Sequence, residues 1–91
     1  MKVTDIRFVP CAPEKRASGM RGWASCTVDK TWIFDSIAVR RGRDGRALVS
    51  FPARFDSNGV ERPYVRPLNA AIRSEIESAI LTHCRRGGFV E

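Results

Sequence analysis

The sequence predicts an α+β fold: an antiparallel four- to five-stranded sheet with meander connections, followed by one C-terminal amphipathic helix. Apolar and polar residues alternate in short runs through the first two thirds of the chain, as they do in half-buried strands. Most turns between these runs are shorter than the dozen residues that a parallel crossover requires. A later stretch carries apolar residues at helical spacing. A chain of 91 residues can bury one core, so we expect a single domain over residues 1–91.

Five runs are predicted as strands because they are rich in β-branched, aromatic and alternating residues. They cover residues 3–9, 21–29, 31–40, 47–51 and 60–65. Asp29-Lys30 is predicted as a two-residue hairpin turn and Asp35-Ser36 as a bulge. The run at 47–51 is nearly all apolar, which favours a central, covered position. Pro63 confines the last run to an edge or an irregular ladder, because proline cannot donate a ladder hydrogen bond.

The predicted sheet has one face for a helix and one face without a cover. Thr4, Ile6 and Phe8 alternate on one face of the first strand. Trp23 and Trp32 are interpreted as core residues or as contacts with a second subunit. Because a single helix leaves the other face and the edges open, we expect a homodimer in which a second copy shields an edge or a face.

The helix is predicted between a start signal and a stop signal. Asn69 is a good N-cap, since its side-chain oxygen can accept a first-turn N–H. The apolar stripe comprises Ile72, Ile76, Ala79, Ile80 and His83, with the histidine as a packed residue rather than a ligand. Gly87-Gly88 supplies a residue that can turn left-handed and end the helix.

The net charge of +6 and the pI near 10.0 favour a polyanionic partner. Arginine supplies 13 of the 16 cations, and its planar fork matches phosphate geometry. A genome rich in G and C would also favour arginine codons. The charge therefore points to nucleic acid more firmly than the arginine content does.

Other features of the sequence argue against several classes of protein. Three cysteines at wide spacing and one histidine make no zinc motif, so we expect reduced thiols, no metal and no cofactor. No nucleophile–base spacing, carboxylate pair or phosphate-binding glycine loop is present, so we expect neither an enzyme nor a small-molecule substrate. The charged N-terminus and the lack of a long apolar run predict a cytoplasmic protein without a membrane partner.

Several segments in one register resemble the SpoVG family, the stage V sporulation protein G or septation regulators. The start, Val3-Thr4-Asp5-Ile6-Arg7, is similar to the start of that family. Phe51-Pro52-Ala53-Arg54 stands where the family has Met-Pro-Ser and a basic residue. Arg66-Pro67-Leu68-Asn69, followed by Arg73, is similar to His-Pro-Ile-Asn and its downstream arginine. The resemblance extends over residues 3–81.

Such membership would imply a small cytosolic dimer that binds DNA, and RNA in some members, and that modulates gene expression, sporulation or cell division. The resemblance places nucleic-acid contacts in the loop after the fourth strand and in the C-terminal helix, at Arg54 and Arg73. The chain differs from the family nearby. Ala53 replaces a serine, Phe55 replaces a second basic residue, and Arg66 replaces a histidine.

Six arginines are candidate nucleic-acid contacts: Arg54, Arg66, Arg73, Arg62, Arg41 and Arg43. The alternative interpretation of Arg54 is a solvated loop arginine. Arg62 and Arg66 are four apart, so an extended strand would project them to one face, where they could follow a phosphate backbone or protect an edge strand.

The remaining candidates also have alternatives. A cation in the first helical turn opposes the helix dipole. A phosphate partner could offset this cost for Arg73, or the side chain could pair with Glu77. Arg41 and Arg43 share a turn with other arginines and could bind an anion or simply solubilise the turn. Phe55 could stack on an unpaired base or fold onto the core or a partner subunit.

We therefore expect a small dimeric nucleic-acid-binding regulator of gene expression or septation, acting on DNA and, as in some members of the family, on RNA. Contacts between arginines and phosphates would dominate its affinity. The alternative is a dimeric protein-interaction adaptor without direct nucleic-acid binding.

Overall fold

The structure is a computed structural model that describes residues 1–90. Its elements are β1 (Val3–Pro10), a 3-10 helix (Pro13–Ser18), β2 (Met20–Val28), β3 (Trp32–Arg41), β4 (Ala47–Ser50), β5 (Ala53–Phe55), β6 (Glu61–Pro63) and α1 (Ala70–Arg86). Strands β1 to β4 form an antiparallel sheet in chain order, and β5 pairs with β6 in a separate hairpin. The predicted α+β class and meander are confirmed. The fifth predicted strand belongs to the hairpin rather than to the main sheet.

Bulges change which residues face the core. The register places Asp35 and Ser36 opposite one residue of β2, and Ser36 is left-handed at φ 56°, so the predicted bulge is confirmed. A second bulge, not predicted, lies in β1 at Asp5, whose φ is 52°. It moves Thr4 to the uncovered face, opposite Thr27, so the prediction that Thr4 shares a face with Ile6 and Phe8 was wrong.

The connection between β2 and β3 is one residue longer than predicted. Val28 pairs with Trp32, so three residues join the strands. Asp29 and Lys30 nevertheless both take φ 53°, the left-handed pair that a tight hairpin demands, without a glycine.

Strand β4 lies at the edge of the sheet, next to β3, so the predicted central position was wrong. Its apolar character comes from α1, which covers one face of the strand and leaves Val49 with 0% exposure. The backbone of Val49 is bonded to helix side chains instead of to another strand. Its N–H donates to Glu77 Oε2 at 3.2 Å, and its carbonyl accepts from Arg73 Nη2 at 2.7 Å.

The core lies between α1 and one face of the main sheet. Asn69 caps the helix as predicted, accepting the Ile72 N–H at 3.0 Å, and Gly88 turns left-handed at φ 76° after its end. The buried stripe of α1 is rotated about the helix axis from the predicted apolar stripe. His83 is exposed, and Leu81 and Cys84 are buried beside Ile76 and Ile80. The sheet contacts the helix on the side of Leu81, which turns His83 to solvent.

The opposite face of the main sheet is not covered by α1 and is partly apolar, and Lys15 Nζ of the 3-10 helix lies 5.2 Å from the centre of the Trp23 ring there. Antiparallel partners share a face, so the register places Val9 and Trp23 in one cross-strand row and Ile33 opposite Thr27 on the same side. Ile33 is 74% exposed, and both tryptophans are exposed too. The tryptophans are therefore not core residues of the single chain. No helix among residues 1–90 is long and apolar enough to cross a membrane.

Candidate nucleic-acid interface

The hairpin of β5 and β6 brings two of the predicted arginines together. Arg54 and Arg62 are directly opposed in its register, so both project from one face, and both are exposed. Like charges opposite each other weaken a strand pair, so the pairing of Arg54 with Arg62 does not itself stabilise the hairpin. An anion bound between the two guanidinium groups would relieve the repulsion.

The turn of the hairpin holds Arg62 in place. Asp56 Oδ2 accepts from Arg62 Nε at 2.7 Å, while Oδ1 accepts the N–H groups of Asn58 at 2.8 Å and Val60 at 3.0 Å. The hydrogen bond from Arg62, followed by those from the backbone, lowers the pKa of the Asp56 carboxyl below its ordinary value of 3.8. Asp56 is therefore ionised at neutral pH. The Arg62 side chain remains 69% exposed despite this ion pair.

Two aromatic side chains extend the charged hairpin. Phe55, next to Arg54, is 70% exposed, so it does not fold onto the core of its own chain. The Tyr64 N–H donates to the Pro52 carbonyl at 3.1 Å, which continues the ladder by one residue. Strand alternation then assigns Tyr64, which is 63% exposed, to the face of Arg54 and Arg62. The sequence analysis missed Tyr64, although its spacing of two from Arg62 was a signal.

Arg66 lies outside this arrangement. Strand β6 ends at Pro63, so the predicted extended run to residue 65 is too long. Arg66 is exposed in the segment that leads to α1, and strand alternation does not align it with Arg62.

Arg73 is placed differently from the hairpin arginines. Its guanidinium donates to the Val49 carbonyl, lies 3.7 Å from Glu77 Oε2 and stands 5.4 Å from the centre of the Phe51 ring. The Glu77 pairing that the sequence offered as an alternative is therefore present. Since three groups hold this guanidinium against the sheet edge, it has less freedom to reach a phosphate than Arg54 has.

Arg41 and Arg43 lie near the other end of β4. Arg41 pairs with Ala47 at the start of that strand, whereas the hairpin begins at Ala53. Six residues of extended chain span up to about 20 Å. The six candidates therefore do not form one group, and the register pairs two of them, Arg54 and Arg62. Arg41 borders a cavity with Arg46, one of the arginines of the same turn for which the sequence suggests an anion, and with Arg21 and Arg85, which the sequence does not single out.

The cysteines and acidic residues form no metal centre in the part of the chain that the structure describes. No group of three or more metal-ligating side chains occurs among residues 1–90. Cys11, Cys26 and Cys84 are buried and unpaired, as expected of reduced thiols. Burial raises the pKa of the Cys26 and Cys84 thiols, which disfavours reactive thiolates.

Comparison with known proteins agrees with the resemblance noted in the sequence. The SpoVG family model matches residues 1–86. Similar proteins from Bacillus cereus (strain AH187), Bacillus anthracis (strain A0248) and Bacillus thuringiensis subsp. konkukian (strain 97-27) carry names that include the words septation protein SpoVG. Each is 35% identical over 91 residues, which covers all of this chain and 90% of the relative.

Proposed function

The chain belongs to the SpoVG family, and on that premise we propose that it is a small dimeric nucleic-acid-binding regulator of gene expression or septation. Its hairpin of β5 and β6 contacts the phosphate backbone of DNA, and of RNA where the strand is accessible. The names of its relatives support the septation role. The directly opposed Arg54 and Arg62 carry the binding part of the proposal.

The hairpin combines the two kinds of group that bind a nucleic-acid strand without strong sequence preference. Guanidinium groups bind phosphates, and exposed aromatic rings stack on unpaired bases. Arg54, Arg62 and Tyr64 supply both on one face. Arg62 also stabilises the turn through Asp56, whereas Arg54 adds a like charge opposite it and has no ion pair among residues 1–90, so the position of Arg54 in particular favours a phosphate ligand.

A homodimer doubles this surface. The uncovered sheet face, with Val9, Trp23 and Ile33, supports pairing with a second copy, since water contact with these residues is unfavourable. The edge of β4 is a weaker candidate for pairing, because Arg73 and Glu77 already bond the Val49 backbone. Two hairpins related by a twofold axis would then present four opposed arginines.

The test is a mobility-shift series at physiological salt with duplex DNA, single-stranded DNA and RNA of one sequence. The variant Arg54→Ala/Arg62→Ala is compared with Lys30→Ala/Arg86→Ala, which removes two exposed cations outside the hairpin. Loss of charge-assisted hydrogen bonds to phosphate should weaken binding by about tenfold or more in the first variant. The control should bind within about twofold of wild type, because its charges lie away from the ligand. Equal weakening of both variants would overturn the hairpin assignment.

The same apolar sheet face also favours a second candidate, the dimeric protein-interaction adaptor. Ile33 is exposed on this face, and Trp32 is exposed on the other side of the same sheet end, opposite Val28. Absence of any shift by wild-type protein at physiological salt, with stoichiometric recovery of one protein that Ile33→Glu abolishes, would replace the first proposal with this one.

A further inference from the structure

An arginine-lined cavity lies apart from the hairpin, between the turn that joins β3 to β4 and the C-terminal end of α1. Its volume is about 660 Å³, within the range of small-molecule sites. Arg21, Arg41, Arg46 and Arg85 line it together with one carboxylate, Glu77. The four cations and one anion leave its described walls with a net charge of +3.

The fold explains why these guanidinium groups converge. Arg41 is opposite Ala47 in the register, on the face of the sheet that α1 covers, and the small alanine leaves space beside it. The Arg41 N–H donates to the Gly19 carbonyl at 2.7 Å, which ties the end of β3 to the start of β2 near Arg21. The cavity therefore forms where two strand ends and one helix end meet.

Two of the arginines that line the cavity have no neighbouring carboxylate in the described part of the chain. Within residues 1–90, neither Arg41 nor Arg46 has a carboxylate at ion-pair distance. Glu77 is engaged elsewhere, since it accepts the Val49 N–H and lies beside Arg73. The absence of a carboxylate beside Arg41 and Arg46 favours binding of an anion there.

The end of the helix does not repel an anion as an open C-terminus would. The carbonyls of His83, Cys84 and Arg85 accept the N–H groups of Gly87, Phe89 and Gly88 at 2.9–3.1 Å. These bonds satisfy carbonyl groups that carry part of the negative charge at this end of the helix dipole.

An aromatic ring completes the cavity. Phe89 lines it and also an adjoining cavity that shares Arg21 and Arg41. The Phe8 ring centre lies 4.8 Å from the Phe89 ring centre, and a Cβ at Gly87 would lie 2.7 Å from the Phe89 ring, yet Phe89 remains 40% exposed. A positioned ring beside several guanidinium groups fits a ligand that has both phosphates and a flat base.

We propose that this cavity binds a nucleoside phosphate, with the phosphates among Arg21, Arg41 and Arg46 and the base against Phe89. A terminal phosphate carries about −1.5 to −2 charges at neutral pH, so the three guanidinium groups of Arg21, Arg41 and Arg46 suit more than one phosphate group. The ligand is either a free nucleotide or the phosphorylated end of a strand. The site does not depend on the hairpin or on its proposed role.

Isothermal titration of the full chain with ATP, ADP, AMP, adenosine and pyrophosphate tests the site. We expect affinity to fall in the order ATP, ADP, AMP, with adenosine not binding at 1 mM (roughly the weak limit of such sites). Arg41→Ala should weaken ATP binding by about tenfold or more, because a charge-assisted hydrogen bond is lost. Arg43→Ala is the matched control, since Arg43 is in the same turn but does not line the cavity, and it should stay within about twofold.

A second variant separates the base from the phosphates. Phe89→Leu should weaken ATP binding and leave pyrophosphate binding unchanged, because only the base contacts the ring. Arg54→Ala/Arg62→Ala should bind ATP like wild type even where it fails to shift nucleic acid, so failure of one proposal is distinguishable from failure of the other. No ATP binding by wild type at millimolar concentration, or equal losses in Arg41→Ala and Arg43→Ala, would overturn the site.

Competition identifies the source of the ligand. A trinucleotide with a 5′-phosphate that displaces ATP, where its 5′-hydroxyl counterpart does not, would assign the site to strand ends. If neither trinucleotide displaces ATP, the site is assigned to free nucleotides. Equal displacement by both would show that any phosphate backbone is attracted there, and would contradict a nucleotide site.

Discussion

The Arg73 guanidinium donates a 2.7 Å hydrogen bond to the Val49 carbonyl at the open edge of the main sheet. Glu77, one helical turn later, accepts the N–H of the same residue at 3.2 Å. The two side chains thus bond one backbone unit of an edge strand, as a neighbouring strand would. Exposed strand edges are sites of unwanted pairing between chains, and this arrangement protects one.

Arg73→Ala should destabilise the fold, because it leaves the Val49 carbonyl and Glu77 without their cationic partner. The loss should be about 1–3 kcal/mol of unfolding free energy, measured by urea denaturation. Arg54→Ala is the control and should have little effect on stability, since it relieves a like-charge pair. A weakened mobility shift for Arg73→Ala with unchanged stability would show instead that Arg73 acts on nucleic acid.

The helix was predictable from local signals, and the edge position of β4 was not. Asn69 and Gly88 specify the helix ends through the conformations of nearby residues. The apolar run at 47–51 has the composition of a central strand, yet it is an edge strand because α1 covers its face and two helix side chains bond its backbone. Such long-range partners leave no periodic trace in the sequence.

The Asp56–Arg62 pair predicts how the hairpin responds to acid. The pKa of Asp56 is lowered in the folded chain, so its contribution to stability is present above 3.8 and is lost as pH falls through the lower folded value. The Arg62 Nε–H signal in NMR spectra should lose its protection over that same range. Asp56→Asn should abolish this pH dependence. A carboxyl that titrates at or above 3.8 would contradict the ion pair.

The three thiols should resist modification in the folded protein. Cys11, Cys26 and Cys84 are each 5% exposed or less, so a thiol reagent should label them only after unfolding in urea. The pKa values of Cys26 and Cys84 are raised, so the unfolded chain loses these protons first and stability should fall as pH rises above 9.0. Rapid labelling of any one thiol in the native state would contradict the described core.

The uncovered sheet face predicts how the dimer can be broken. Ile33→Glu places a charge on this face near the turn between β2 and β3 and should raise the dimer dissociation constant by about tenfold or more, since burial of an unpaired charge is unfavourable. Sedimentation across protein concentrations measures it. Leu68→Glu is the control, because Leu68 is highly exposed but lies outside the sheet. Unchanged association of Ile33→Glu, or a wild type that is monomeric throughout, would contradict this interface.

The chemistry of the candidate site could be predicted from the sequence, but which of its arginines lie together could not. The sequence indicates arginines and a phosphate partner, and it pairs Arg62 with Arg66 by spacing. The structure pairs Arg62 with Arg54 instead, because the turn that begins at Asp56 folds the two strands against each other. Arg21 and Arg85 are distant in sequence from Arg41, so only the closed fold shows that they border one cavity.

The central claim is that opposed arginines on the hairpin bind phosphates, and the salt dependence of affinity tests it most directly. A dimer that engages 4–6 phosphates should show log affinity falling against log salt with a slope of about −4 to −5. Arg54→Ala/Arg62→Ala should make that slope shallower by about 2 to 4, since up to four phosphate contacts per dimer are removed. A wild-type affinity that barely changes between low and physiological salt, or an unchanged slope in the double variant, would contradict the account.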